Sequence, residues 1–127
     1  DLMLDTLPYG GHTTTRDALF AGVPALTQKG KTFVGRIGAS LLDEIGLPEL
    51  ITTSTQDYEN LAVELAQNKA KLAQLRATLQ MQLSERSLFN RKTYISDLEA
   101  CFKAMYSRFK AGLPPDHIEE RDLDQFR

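Results

Sequence analysis

The sequence predicts an α/β fold: half of a Rossmann-like domain, with three parallel strands and flanking helices, followed by C-terminal α-helices. Three observations carry this prediction. Apolar runs at Leu2–Leu4, Val23–Thr27 and Leu50–Thr52 are too short for helices and read as buried strands. The first two strands are each followed by a loop and a helix-length segment, an alternation that implies parallel pairing through right-handed crossovers. From Ser54 onward only helical patterning remains.

The elements follow in order. Leu2–Leu4 ends at Asp5, and Thr6 to Gly11 forms a turn containing Pro8 and the Gly10-Gly11 pair. A helix is predicted from about Thr13 to Ala21, stopped by Gly22 and Pro24. After the second strand, Gln28 to Lys31 is a loop. A second helix is predicted over Thr32–Ile45, with Thr32 as its N-cap and Phe33, Ile37, Leu41 and Ile45 as its buried stripe. Gly35, Gly38 and Ala39 are small enough for that helix to approach the sheet closely, and Gly46 ends it.

In the helical part, Ser54 and Asp57 have the spacing of a capping box for a helix through Leu61 and Leu65. Asn68 breaks and recaps it, and Leu72, Leu75 and Leu79 mark one face of the next helix. Asn90 caps the last helix, where Tyr94, Leu98, Phe102, Met105 and Phe109 repeat at helical spacing as a predicted packing stripe. Gly112, Pro114 and Pro115 end the order, and the charged stretch from His117 to Arg127 reads as a mobile tail. Three parts result: residues 1–53 as the strand–helix half-domain, 54–112 as a helical segment packing on it, and 113–127 as a flexible tail.

Composition narrows the function classes. The 127 residues suit one domain, with 42% hydrophobic and 25% charged residues. A net charge of −2 creates no field to attract nucleic acid or an anionic membrane. No apolar run approaches the ~20 residues of a membrane span. The single Cys101 forms no internal disulfide and fits a reducing, cytoplasmic setting. Asp1 stands where an initiator Met would, and the chain opens directly in a strand pattern. The expectation is a piece of a longer polypeptide, whose missing part covers the sheet edge.

The stretch Gly10-Gly11-His12-Thr13-Thr14-Thr15-Arg16-Asp17 holds the candidate chemistry. A strand, a glycine turn and a helix start bring free backbone N–H groups to a strand's carboxyl end, where open α/β sheets bind phosphates and nucleotides. Gly11 lets backbone approach an anion, Thr13 and Thr14 offer N–H and hydroxyl donors, and His12 sits at the turn apex. Asp17 lies one helical turn beyond Thr13, placed to accept from a sugar diol. The structural alternative is a helix capped by Thr13 or Thr14, with Asp17 complementing the dipole.

Gly30-Lys31-Thr32 resembles the end of a phosphate-binding P-loop, but Ala25 occupies the position of the pattern's first glycine, and the NTPase reading fails. Cys101 reads as inert core, and Glu119, Glu120 and Asp122 as a solvated tail. Lys69 to Arg76 reads as a wet helix face. His12 and His117, without further Cys or His ligands, make no zinc site, so no metal is expected.

These residues resemble a known family. Leu4-Asp5-Thr6, Gly11-His12-Thr13-Thr14, Asp17-Ala18-Leu19 and Gly22-Val23-Pro24 are similar to the donor-binding motif of O-linked N-acetylglucosamine transferases, the family 41 glycosyltransferases, with their bacterial relatives. The likeness continues through Arg36-Ile37-Gly38-Ala39-Ser40-Leu41-Leu42, Gly46-Leu47-Pro48-Glu49-Leu50-Ile51, Ser87-Leu88-Phe89-Asn90 and the closing helix with Met105. It departs from the animal members at Lys31 and Arg16, where they carry an acidic and an apolar residue.

The resemblance implies a GT-B fold, in which two Rossmann-like domains hold a uridine diphosphate (UDP) sugar between them. This chain corresponds to the second half of the C-terminal domain with its closing helices. Donor binding then falls to Gly11, His12, Thr13, Thr14 and Asp17: Thr13 and Thr14 on the diphosphate, His12 on the donor and Asp17 on the ribose hydroxyls. No cofactor and no metal are implied, and the helix N-terminus stabilises the leaving diphosphate. The resemblance places no catalytic residue in this fragment. The uracil contacts, a phosphate-binding lysine, an acceptor-side histidine and tetratricopeptide repeats that present protein acceptors lie upstream, so the fragment alone is expected to be inactive. The competing expectation is a non-catalytic interaction module, using the helices from Tyr58 to Phe109 to bind a partner.

Overall fold

The computed structural model describes residues 1–85 and 90–127. Of the segment Ser87-Leu88-Phe89-Asn90, Ser87 to Phe89 therefore lie outside the described residues. The chain divides into two compact units, residues 1–88 and residues 89–127.

The first unit is built on three parallel strands, β1 (Met3–Leu4), β2 (Ala25–Gln28) and β3 (Ile51–Thr52), in the order β1-β2-β3. Met3 pairs with Ala25, Leu4 with Leu26, Thr27 with Ile51 and Gln28 with Thr52. Among the described residues, four helices belong to this unit: α1 (Thr13–Phe20), α2 (Ile37–Glu44), α3 (Thr55–Gln67) and α4 (Lys69–Glu85). A 3-10 turn, Pro48–Leu50, leads into β3. Strand β2 is central and covered on both faces, with Ala25, Leu26 and Thr27 buried, as parallel sheets require. Leu19, Leu42, Ile45, Leu47, Leu50, Leu65 and Leu79 complete the core from the surrounding elements. Gly22 and Gly46 adopt φ of 77° and 73°, the left-handed geometry that stops α1 and α2.

The predicted alternation is present, with differences in detail. Strand β1 is not buried: Leu4 is 52% exposed, because β1 is the sheet edge. Helix α2 starts at Ile37 rather than Thr32. Gly30 N–H donates to the Gly35 carbonyl at 2.7 Å, and Gly35 N–H donates to Thr32 Oγ1 at 3.2 Å. These bonds close residues 30–35 into a loop, so Thr32 supports a local turn instead of a cap. Phe33 consequently leaves the expected stripe and is 78% exposed, while Gly38, Ala39, Leu42 and Ile45 form the buried face.

In the helical part, Ser54 caps α3 by accepting from Asp57 N–H at 3.1 Å. The reciprocal half of the expected box is replaced by a Ser54 hydroxyl donation to Asp57 Oδ2 at 2.6 Å. Asn68 ends α3 and accepts from Lys71 N–H at the start of α4. The division of the chain at residues 88 and 89 differs from the expected boundary after residue 53, because α3 packs on β2 and bonds to the end of β1.

The second unit holds α5 (Arg91–Lys110) and α6 (Glu120–Leu123). Asn90 caps α5, accepting from Lys92 and Thr93 N–H. The face of α5 that packs within the unit is Ala100 and Ala104, against Leu123, with Cys101, Ile118 and Phe126 around them. The expected stripe differs: Tyr94, Leu98, Phe102, Met105 and Phe109 are all exposed. Small alanines, not large apolar residues, admit α6. Residues 120–127 also depart from the expected mobile tail, since Leu123 is buried and Arg127 bonds Asp97 at 2.9 Å.

Candidate functional site

Helix α1 starts at the carboxyl end of β1 with its N-terminus open. Its N-cap position is His12, and no side chain bonds its first amide groups. The structural alternative, a cap by Thr13 or Thr14, is absent, and both residues are exposed. Helices α3 and α5, by contrast, are capped by Ser54 and Asn90. The open end of α1 therefore presents unsatisfied N–H groups and about half a positive charge, next to two hydroxyls.

The turn before α1 is anchored by a buried carboxylate. Asp5, at 6% exposure, accepts Gly11 N–H at 2.6 Å and Thr6 N–H at 2.9 Å through Oδ1. Its Oδ2 accepts the Thr27 hydroxyl at 2.7 Å. A buried carboxylate without such donors would be strongly destabilising, whereas bonds to a charged acceptor are worth roughly 1.5–3 kcal/mol each. Gly38 of α2 makes room for it: an added Cβ there would stand 2.6 Å from Asp5 Oδ2 and 2.9 Å from Thr27 Oγ1. Gly11 is needed for a similar reason, since an added Cβ would lie 2.5 Å from Thr15 Oγ1 and 2.7 Å from Thr14 Oγ1.

The Gly11 amide thus faces Asp5, not the open helix end. The Gly30 amide is likewise consumed by Gly35, which removes the P-loop-like segment from phosphate chemistry.

His12 stacks on Tyr9, with ring centroids 5.4 Å apart and planes 11° from parallel, and meets the Phe33 ring edge-on at 6.4 Å. Its Nε2 is shielded and has no hydrogen-bond partner, as is true of the buried Thr15 hydroxyl. Asp17, one turn along α1, pairs with its neighbour Arg16 at 2.8 Å, both side chains being more than half exposed. Such a surface pair contributes about 0–1 kcal/mol and yields readily to a competing donor. Behind the turn, Tyr58 of α3 donates its hydroxyl to the Asp5 carbonyl at 2.7 Å. Burial, and then the nearby Asp5 charge, push the Tyr58 phenol above its ordinary range.

The structure thus gathers Gly11, His12, Thr13 and Thr14 at one end of α1, with Asp17 a turn further on. Sequence reasoning gave Asp5 no role of its own beyond its place in the Leu4-Asp5-Thr6 motif, and it passed over Thr27 and Tyr58. A charged residue closing an apolar strand was the available signal for Asp5, because burial there demands donors. Nothing local signals Tyr58, which lies 53 residues away in the chain. Among the described residues, no helix is long and apolar enough to cross a membrane.

Comparison with known proteins agrees with this architecture. The sequence model for glycosyl transferase family 41 matches residues 1–98. The chain is 39% identical over 129 aligned positions to a protein of Eustoma exaltatum subsp. russellianum described as a probable UDP-N-acetylglucosamine–peptide N-acetylglucosaminyltransferase SPINDLY. That alignment covers 98% of this chain and 14% of the relative. It is 36% identical to the UDP-N-acetylglucosamine–peptide N-acetylglucosaminyltransferase of Caenorhabditis elegans, covering 93% of this chain and 10% of that protein. Among solved structures, a lysine-to-methionine mutant of the Thermobaculum terrenum O-GlcNAc transferase superposes with a TM-score of 0.77 at 36% identity. The match covers 83% of this chain and 20% of that one. The chain therefore spans between a tenth and a fifth of the length of these relatives, and it has the fold of the corresponding part of a GT-B enzyme. By motif, fold and matched length, the chain belongs to glycosyl transferase family 41.

Proposed function

We propose that this chain forms the diphosphate-and-ribose half of a UDP-sugar pocket, in a glycosyltransferase that modifies Ser or Thr hydroxyls of proteins. N-acetylglucosamine is the sugar named for the relatives, and it is the one proposed here. The observation that carries the reading is the open N-terminus of α1, with exposed Thr13 and Thr14 beside it.

In this reading the amides and hydroxyls of Thr13 and Thr14 hold the diphosphate, His12 contacts the donor and Asp17 exchanges its Arg16 partner for the ribose hydroxyls. During transfer the acceptor oxygen bonds to the anomeric carbon, and the bond from that carbon to the phosphate oxygen breaks. The electron pair leaves with UDP, and the acceptor's proton passes to a base outside this chain. Negative charge developing on the departing diphosphate meets the positive end of α1, a preorganised electrostatic contribution that calls on no metal or cofactor. Uracil recognition and the acceptor site belong to the larger part of the family protein, so the isolated chain is inactive. Its setting is proposed to be cytoplasmic.

The test is calorimetry with UDP on the full-length protein that carries this chain. Replacing Thr13, Thr14 and Asp17 together with Ala is expected to weaken UDP binding by at least about two orders of magnitude, given roughly 1–3 kcal/mol for each lost charge-assisted bond. Unchanged affinity would overturn the assignment. It would then favour the second reading, a protein-docking role for α5, which the exposed stripe of Tyr94, Leu98, Phe102, Met105 and Phe109 supports.

A further inference from the structure

The turn that delivers His12 to the candidate donor site is held from behind by the buried carboxylate of Asp5. Asp5 Oδ1 takes the amide hydrogens of Thr6 and Gly11, the two ends of the turn, while Oδ2 is fixed to β2 through Thr27. Tyr58 bonds the Asp5 carbonyl, so α3 braces the residue from which this clamp extends. A Cβ at position 38 would stand 2.6 Å from Oδ2, so the glycine there leaves the carboxylate its place. On the other side, Gly11 abuts the hydroxyls of Thr14 and Thr15. One carboxylate therefore ties both ends of the turn that leads into α1 to strand β2.

Resting on the donor-site reading above, we propose that Asp5, supported by Thr27 and Tyr58, is a positioning residue for the donor diphosphate. It fixes the gap between the Gly11–His12 turn and the open amides of α1. Binding groups must be held within roughly 0.5 Å to act together, and misplacement by about 1 Å costs on the order of a hundredfold. Release of Gly11 from Asp5 frees the turn to move by this much. The clamp acts through hydrogen-bond acceptors at fixed positions, and its negative charge contributes nothing favourable toward an anionic ligand.

The test compares Asp5→Leu, Asp5→Asn and Thr27→Val in the full-length protein, with UDP titrated calorimetrically and the steady-state constants measured for donor and acceptor. Asp5→Leu removes every acceptor and is expected to raise the UDP dissociation constant and the donor KM at least tenfold, leaving the acceptor KM unchanged. Thr27→Val preserves shape, keeps the test decisive if Asp5→Leu fails to fold, and is expected to weaken UDP about threefold to tenfold. Asp5→Asn keeps an acceptor for both amides and is expected to stay within about threefold of the parent protein. A purely structural role gives a different pattern: less folded enzyme and a lower melting temperature, with unchanged UDP affinity in the folded fraction. That result, or an Asp5→Asn loss as large as that of Asp5→Leu, overturns the proposal. The combined Thr13, Thr14 and Asp17 replacement separates the two readings. If it weakens UDP while Asp5→Leu and Thr27→Val do not, the positioning role falls and the site stands; if it has no effect, the site itself is wrong.

Discussion

Tyr58 concentrates the physics of this structure in one hydroxyl. Its donation to the Asp5 carbonyl joins α3 to the end of β1, and burial together with the Asp5 charge disfavours its ionised form. The unfolded chain releases this proton first, near the ordinary phenol value of about 10. The stability contributed by neutral Tyr58 is thus complete below about pH 10 and is lost as pH rises from there through the higher folded-state value. Tyrosinate absorbance should show a late step in the folded chain that belongs to Tyr58. Tyr58→Phe should abolish that late step and lower unfolding free energy by about 1 kcal/mol at neutral pH. An unchanged titration curve and unchanged stability would remove Tyr58 from the brace. The case also shows which residues a sequence reveals. His12, Thr13 and Thr14 are neighbours along the chain and can be read together as a candidate site, whereas Asp5 and Tyr58 meet only through folding.

At the scale of elements, three features of the sequence pattern were readable because they are local chemistry: apolar runs, glycine stops and caps. Ser54 and Asn90 act as the side chains that begin α3 and α5, and α1 differs from both in lacking a cap. This difference is measurable. Ser54→Ala should cost about 1 kcal/mol in denaturant unfolding, the ordinary value of a lost cap. Thr13→Ala should stay within about 0.5 kcal/mol, since the Thr13 side chain caps nothing and faces solvent. Equal losses would mean that Thr13 serves the helix and not a ligand. What misled the periodicity was tertiary. Phe33 has the spacing of the α2 stripe, but the Gly30–Gly35 bond keeps it in a loop. The apolar stripe of α5 has helical spacing too, yet the four-residue α6 covers only the alanine side. Spacing shows that residues share a face; it does not show that something covers that face.

At the scale of the molecule, the sheet of the first unit ends at β1. In a parallel sheet an uncovered edge offers backbone groups to any strand that can reach them. Here Leu4 is 52% exposed, and beside it lies a groove of about 650 Å³ lined by Leu2, Leu4, Ala62, Ala66, Leu72 and Ala73, among other residues. Lys69 and Arg76 stand at the same groove, and Arg76 is tied to the Asp1 carbonyl at 2.8 Å. An apolar edge with an apolar groove alongside is a surface on which a second strand gains both ladder bonds and burial. The isolated chain is therefore expected to associate with itself as its concentration rises, giving a sedimentation mass above 14.2 kDa. Leu4→Lys places a charge on the edge, the device by which natural sheets resist pairing, and should return the chain to the monomer mass without lowering its helix content. A parent chain that remains monomeric at high concentration would show that β1 is too short to template another strand. Association that survives Leu4→Lys would shift the contact to the exposed face of α5, where Phe102→Lys would then be the variant that dissolves it.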